Sequence, residues 1–123
     1  MRIALPVDRC SRDANIFEHF GRAPYYMLVD VKDGNTLNVS FIENLMIRHE
    51  AGDIPRMLKA HGVDVVICMG IGRRARTFFE EYGISIVAGA QGNALEAVKA
   101  FLEGKLVDKE YIPKRKWHQL YGD

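Results

Sequence analysis

PYYMLVDVKDGNTLNVSFI, residues 24–42, decides the fold. Two runs rich in aromatic and β-branched residues flank Asp33-Gly34, a pair that readily supplies the positive φ a tight hairpin needs. Residues 24–31 and 36–42 are therefore expected as two antiparallel strands. The second run alternates, with Leu37, Val39 and Phe41 on one face and Asn38 and Ser40 on the other, so the hairpin should have one wetter face.

Working outward, RIALPV (2–7) reads as a short apolar strand ended by Asp8 and Arg9. Downstream the period changes. Ile54, Met57, Leu58 and His61 fall at i, i+3, i+4 and i+7, a helical stripe. Asp53 can cap its start, Pro55 suits a first turn, and Gly62 ends it. VDVVICM (63–69) is a continuous apolar run, as a strand buried on both faces requires. Residues 72–82 read as helix and ISIV (84–87) as another buried strand. Asn93 and Glu96 resemble a capping box for a last helix whose stripe is Leu95, Val98, Phe101 and Leu102, closed by Gly104. The order is β-β-β-α-β-α-β-α. Helical crossovers make strands one, four and five parallel, with strand two running against them. The expected fold is a three-layer α/β/α sandwich on a five-stranded mixed sheet of order 3-2-1-4-5. One domain over residues 1–107 is expected, with 108–123 as a partly mobile C-terminal tail.

Composition narrows the function classes. The chain has 123 residues, 48% of them hydrophobic, enough for one domain with a real core. Its 17 basic residues nearly cancel 16 acidic ones, which gives no global case for nucleic acid or an anionic membrane. No apolar run nears the roughly 20 residues that span a bilayer. MRIALPVDRC reaches Pro6 and Asp8 too soon for a signal peptide. Cys10 and Cys68 make no disulfide framework. The expectation is a cytoplasmic, reduced protein.

In open α/β sheets ligands favour the carboxyl ends of the parallel strands. There this sequence gathers Asp8, Arg9 and Cys10, then Glu43, Asn44 and His49, then Gly70, Gly72, Arg73 and Arg74, then Gly89, Gln91 and Gly92. Strand two is entered from the same end, so EHFGRAPYY (18–26), with His19, Phe20 and Arg22 around Gly21, belongs there too. MGIGRRAR (69–76) puts two glycines and three arginines at a strand-to-helix junction, where backbone N–H groups point outward. It reads as an anion site or as a tight turn with solvated arginines. It lacks the Gly-Lys-Ser/Thr ending of a Walker loop and the third glycine of the dinucleotide fingerprint. His19 is a candidate metal ligand or a loop histidine bonded to backbone. Cys10 could add a soft thiolate, whereas Cys68 reads as a small core residue. His49 can ligate, cap or be solvated. There is no Cys-x-x-Cys and no His-x-x-x-His pair, so no preformed zinc or four-cysteine cluster site is readable.

HFGRAPYY, Glu43-Asn44 ahead of His49, GVDVVICMGIGRRA (62–75) and EGKL (103–106), in this order and spacing, resemble the dinitrogenase iron–molybdenum cofactor biosynthesis family. The likeness spans about residues 1–107 and is greatest to the family's small stand-alone members. It implies a ribonuclease-H-like α/β/α architecture. It also implies a non-catalytic carrier of an iron–sulfur or iron–molybdenum-type cluster, bound transiently and exchanged with donor and acceptor proteins. The family's cluster-binding histidine falls on His19. On this reading His19 and Cys10 meet metal. Arg22, Asn44, His49, Gly70, Gly72, Arg73 and Arg74 hold the anionic cargo. The chain departs from a preformed cluster protein in having no dedicated thiolate set. The alternative is an oxyanion-, phosphate- or nucleotide-binding regulatory module that uses only GIGRR. The weakest reading is a metal-dependent phosphoryl hydrolase, because strand four ends in Cys68-Met69-Gly70 with no acid and Asp64 stands at its other end. Oligomeric state is not readable.

Overall fold

The computed structural model describes residues 1–45 and 50–109. Five strands, β1 (Arg2–Val7), β2 (Tyr25–Lys32), β3 (Asn35–Glu43), β4 (Val65–Ile67) and β5 (Ser85–Val87), form one sheet of order β3-β2-β1-β4-β5. β2 is antiparallel to both neighbours, while β1, β4 and β5 are mutually parallel. Three helices, α1 (Asp53–Ala60), α2 (Arg73–Glu81) and α3 (Ala94–Leu102), flank the sheet. Strand order and direction are those the sequence implies.

Alternation along the strands sorts the core into two halves. Ile3, Leu5 and Val7 of β1, with Met27, Val29, Val65, Ile67 and Val87, pack against Ala94, Ala97 and Val98 of α3. Ala4, Tyr26, Leu28, Val66 and Ile86 face the other way, against Ile54 and Leu58 of α1 and Phe79 of α2. The central strands are buried on both faces, which accounts for their unbroken apolar sequence.

Asp33 and Gly34 carry φ of 54° and 77°, as the two central residues of a type I′ turn require. Beyond the turn one expectation fails. Asp30 pairs with Asn38 but Val31 pairs with Thr36, so Leu37 is an extra residue with no partner across the strand. This β-bulge breaks the two-residue period, and Leu37 is 65% exposed instead of sharing the face of Val39 and Phe41. A second correction concerns α1. Its N-cap is Gly52, and Asp53 is its first residue, whose carboxylate accepts from the Glu50 N–H at 2.8 Å. A Cβ at position 52 would come within 3.0 Å of the Phe78 ring, so glycine there lets α1 start against α2. The expected cap on α3 is present: Asn93 Oδ1 accepts from the Glu96 N–H at 2.9 Å.

After α3 the chain returns to the sheet. Asp108 takes a two-pronged ion pair from Arg76 at 2.9 and 3.2 Å and also accepts from the Ala88 N–H at 2.9 Å. The Lys109 N–H donates to the Ala88 carbonyl at 2.9 Å, which ties residues 108–109 to the end of β5. The Arg76 guanidinium holds the Asp108 carboxyl below the usual carboxylate range. A lowered folded-state value means the stabilisation is present above the unfolded-state value, about 4, and is lost as pH falls through the folded one. Asp108→Asn should therefore cost about 1 kcal/mol at pH 7, discounted because the pair is partly solvated. The difference from wild type should close in acid. Coincident urea midpoints at pH 7 would contradict the pairing. Residues 110–123, the rest of the expected tail, lie outside the described residues. Among the described residues no helix is long and apolar enough to cross a membrane.

Candidate functional site

The connection from β1 to β2 is joined to the connection from β4 to α2 through two backbone hydrogen bonds. The Gly70 N–H donates to the Glu18 carbonyl at 3.0 Å, and the Phe20 N–H donates to the Gly70 carbonyl at 3.1 Å. His19 and Gly70 thus form a single parallel bridge at the carboxyl end of the sheet. This fixes the histidine at the start of the turn that leads into α2. A short 3-10 turn follows at Phe20–Arg22.

Phe20 points inward and is 3% exposed, its ring 5.3 Å from Tyr26 and 5.4 Å from Phe79. The His19 side chain is 51% exposed, its Nε2 3.9 Å from a Glu18 carboxylate oxygen. The aromatic residue is the anchor and the histidine is the exposed group. Arg22 closes the 3-10 turn and is exposed.

Gly72 is the N-cap of α2 and provides no side chain to cover the helix start. Nothing lies within 4 Å of where its Cβ would be, so this flank is open. Arg73 and Arg74 are the first two residues of α2 and both are exposed. Guanidinium groups and uncapped N–H groups at a helix start together favour an anion. Millimolar phosphate, sulfate or molybdate should accordingly shift the amide resonances of Ile71–Arg74. Amides that stay put would leave the turn a purely structural one. Arg76 does not join this group, being engaged by Asp108.

The other candidates fall nearby with different roles. Cys10 is an exposed free thiol in the loop that follows β1. That loop is held to the β5–α3 connection, through Ile16 N–H to the Gly92 carbonyl at 2.8 Å and Ala94 N–H to the Ala14 carbonyl at 3.0 Å. Cys10 and His19 therefore sit on one long connection, anchored at two different neighbours. The Asn44 side chain donates to the Ala23 carbonyl and its backbone N–H to the Pro24 carbonyl, both at 2.9 Å, closing the open end of the hairpin. His49 lies outside the described residues. Cys68 is fully buried, and burial pushes its thiol up to about 12, so it stays a neutral core group. Asp64 accepts from the Arg2 N–H at 2.8 Å at the far end of the sheet.

Among the described residues no group of three or more His, Cys, Asp or Glu side chains could hold a metal ion. What the site offers is one accessible imidazole, a thiol farther back on the same connection, and a positively charged turn. Sequence reasoning missed the Tyr26 hydroxyl, which donates to the Phe20 carbonyl at 2.6 Å. An alternating strand gives no sign of which aromatic hydroxyl will find a partner in a loop.

Comparison with known proteins places this chain among relatives. The family model described as dinitrogenase iron-molybdenum cofactor matches residues 1–104. An uncharacterized protein of Methanocaldococcus jannaschii is 35% identical over 109 residues, which cover 86% of this chain and 89% of that protein. The crystal structure of PH0822 superposes with a TM-score of 0.81 at 38% identity, covering 89% of this chain and 95% of the other. An NMR structure of a NifB candidate from Thermotoga superposes with a TM-score of 0.75 at 25% identity, covering 91% and 96%.

Proposed function

Because the chain belongs to the dinitrogenase iron-molybdenum cofactor family, we propose that it is a non-catalytic carrier of an iron–sulfur or iron–molybdenum-type cluster. It works in the cytoplasm and passes its cargo between assembly proteins. The observation that carries this reading is the pairing of His19 with Gly70, which sets a half-exposed imidazole beside the uncapped, arginine-flanked start of α2.

The chemistry favours a cargo held by few bonds. A neutral imidazole nitrogen fills one open metal position. Arg73, Arg74 and Arg22 offset the negative charge of a sulfide-rich cluster or of its carboxylate parts. Cys10 is a candidate second donor. Metal centres held by complete ligand sets are retained, whereas one or two protein ligands leave a cluster exchangeable, as delivery requires. A hydrolytic role has less support, since β4 leads into Cys68 and Met69 and brings no carboxylate to this end of the sheet.

Anaerobic reconstitution tests the proposal. The purified protein is mixed with a preassembled iron–sulfur cluster, and uptake is compared among wild type, His19→Ala and Cys10→Ala. A carrier that ligates through His19 loses most uptake in His19→Ala, with a smaller loss in Cys10→Ala. Equal uptake by wild type and His19→Ala would remove the ligand assignment.

A further inference from the structure

We propose that Tyr26 is the positioning residue of this site, its buried hydroxyl fixing the turn that presents His19. The inference rests on the carrier reading for its functional half and on geometry alone for its structural half. Tyr26 lies in β2, is fully buried, and donates to the Phe20 carbonyl at 2.6 Å. That carbonyl belongs to the residue after His19. The Phe20 N–H is already committed to Gly70. Phe20 is thus held three ways: N–H to the β4–α2 turn, carbonyl to Tyr26, and ring between Tyr26 and Phe79. A residue fixed at both peptide groups and at its side chain leaves its neighbour little backbone freedom. His19 is that neighbour.

A phenol inside an apolar core needs a partner, and here the partner is a loop carbonyl, not a strand group. Burial raises the Tyr26 phenol above its ordinary range, so at neutral pH it is a donor. The Arg22 N–H donates to the His19 carbonyl at 3.0 Å inside the same turn. Removing the hydroxyl therefore takes away one of the three holds on the unit from residue 19 to residue 22 and leaves the β2 ladder to β1 and β3 unaltered. Ligation depends on imidazole direction at the level of tenths of an ångström, so a loosened turn should bind cluster more weakly at unchanged donor chemistry.

The test is Tyr26→Phe, which keeps the ring and its packing. Hydrogen exchange should accelerate about tenfold or more at the amides of Phe20 and Arg22, and remain at the wild-type rate at Leu28 and Val66. Cluster affinity, measured by the same anaerobic uptake well below the unfolding temperature, should fall about tenfold. His19→Ala and the double variant should then bind equally weakly, because Tyr26 acts through His19. Unchanged exchange at Phe20 and Arg22 would overturn the proposal. So would unchanged uptake in Tyr26→Phe where His19→Ala loses it. If His19→Ala binds like wild type, the carrier reading is what fails, and exchange in Tyr26→Phe alone then decides whether the hydroxyl fixes the turn.

Discussion

Phe20→Ala should cost the fold about 3–5 kcal/mol, a large part of the roughly 5–15 kcal/mol that holds an ordinary domain together. The ring is 3% exposed and lies in the half of the core shared by α1 and α2, with Ala4, Ala23, Leu58, Val66 and Phe79 as fellow members. Truncation removes a ring from between two others and leaves a cavity that the sheet cannot collapse to fill. It also removes the counterweight that keeps His19 outward. The contrast is Leu37→Ala on the bulge, where a side chain already 65% exposed should cost no more than about 0.5 kcal/mol. Urea denaturation of both variants measures the difference. A Phe20→Ala loss under about 1 kcal/mol would mean that the ring is no anchor.

The second large effect is chemical. His19→Ala should abolish most cluster uptake while leaving the urea midpoint near wild type. The side chain is half exposed, and the two hydrogen bonds that tie residues 18 and 20 to Gly70 are backbone ones, so alanine keeps them. The pair of outcomes matters more than either alone. Loss of uptake together with loss of stability would point to a loop-ordering role. Loss of uptake at full stability points to a missing donor. Arg73→Ala and Arg74→Ala should weaken uptake by smaller steps that shrink as salt rises, because exposed guanidinium groups act through a screened field.

Much of the fold could be read in advance because its signals are local. Asp33-Gly34 carries its turn chemistry in two residues, and the double-sided burial of Val65–Ile67 shows as an unbroken apolar run. The end of the sheet where the unusual residues gather follows from strand direction alone. What could not be read depends on distance or on counting. The bulge at Leu37 opposes two residues to one, and an alternating pattern carries no mark of where such an insertion falls. Arg76 looks equivalent to Arg73 and Arg74 in MGIGRRAR, but its partner Asp108 is thirty-two residues away. The bridge from His19 to Gly70 joins two connections that share no sequence signal. Gathering of candidates at one end was foreseeable; which atoms meet there was not.

The central claim is that a His19 ring nitrogen bonds to the metal of the cargo, and pulsed electron paramagnetic resonance tests it most directly. The protein is labelled with nitrogen-15 histidine, loaded anaerobically with a paramagnetic iron–sulfur cluster, and compared with His19→Ala treated in the same way. The account predicts a directly bonded imidazole nitrogen coupling in the wild-type spectrum that is absent from His19→Ala. A loaded wild-type protein with no such coupling, or a coupling that survives in His19→Ala, would contradict it.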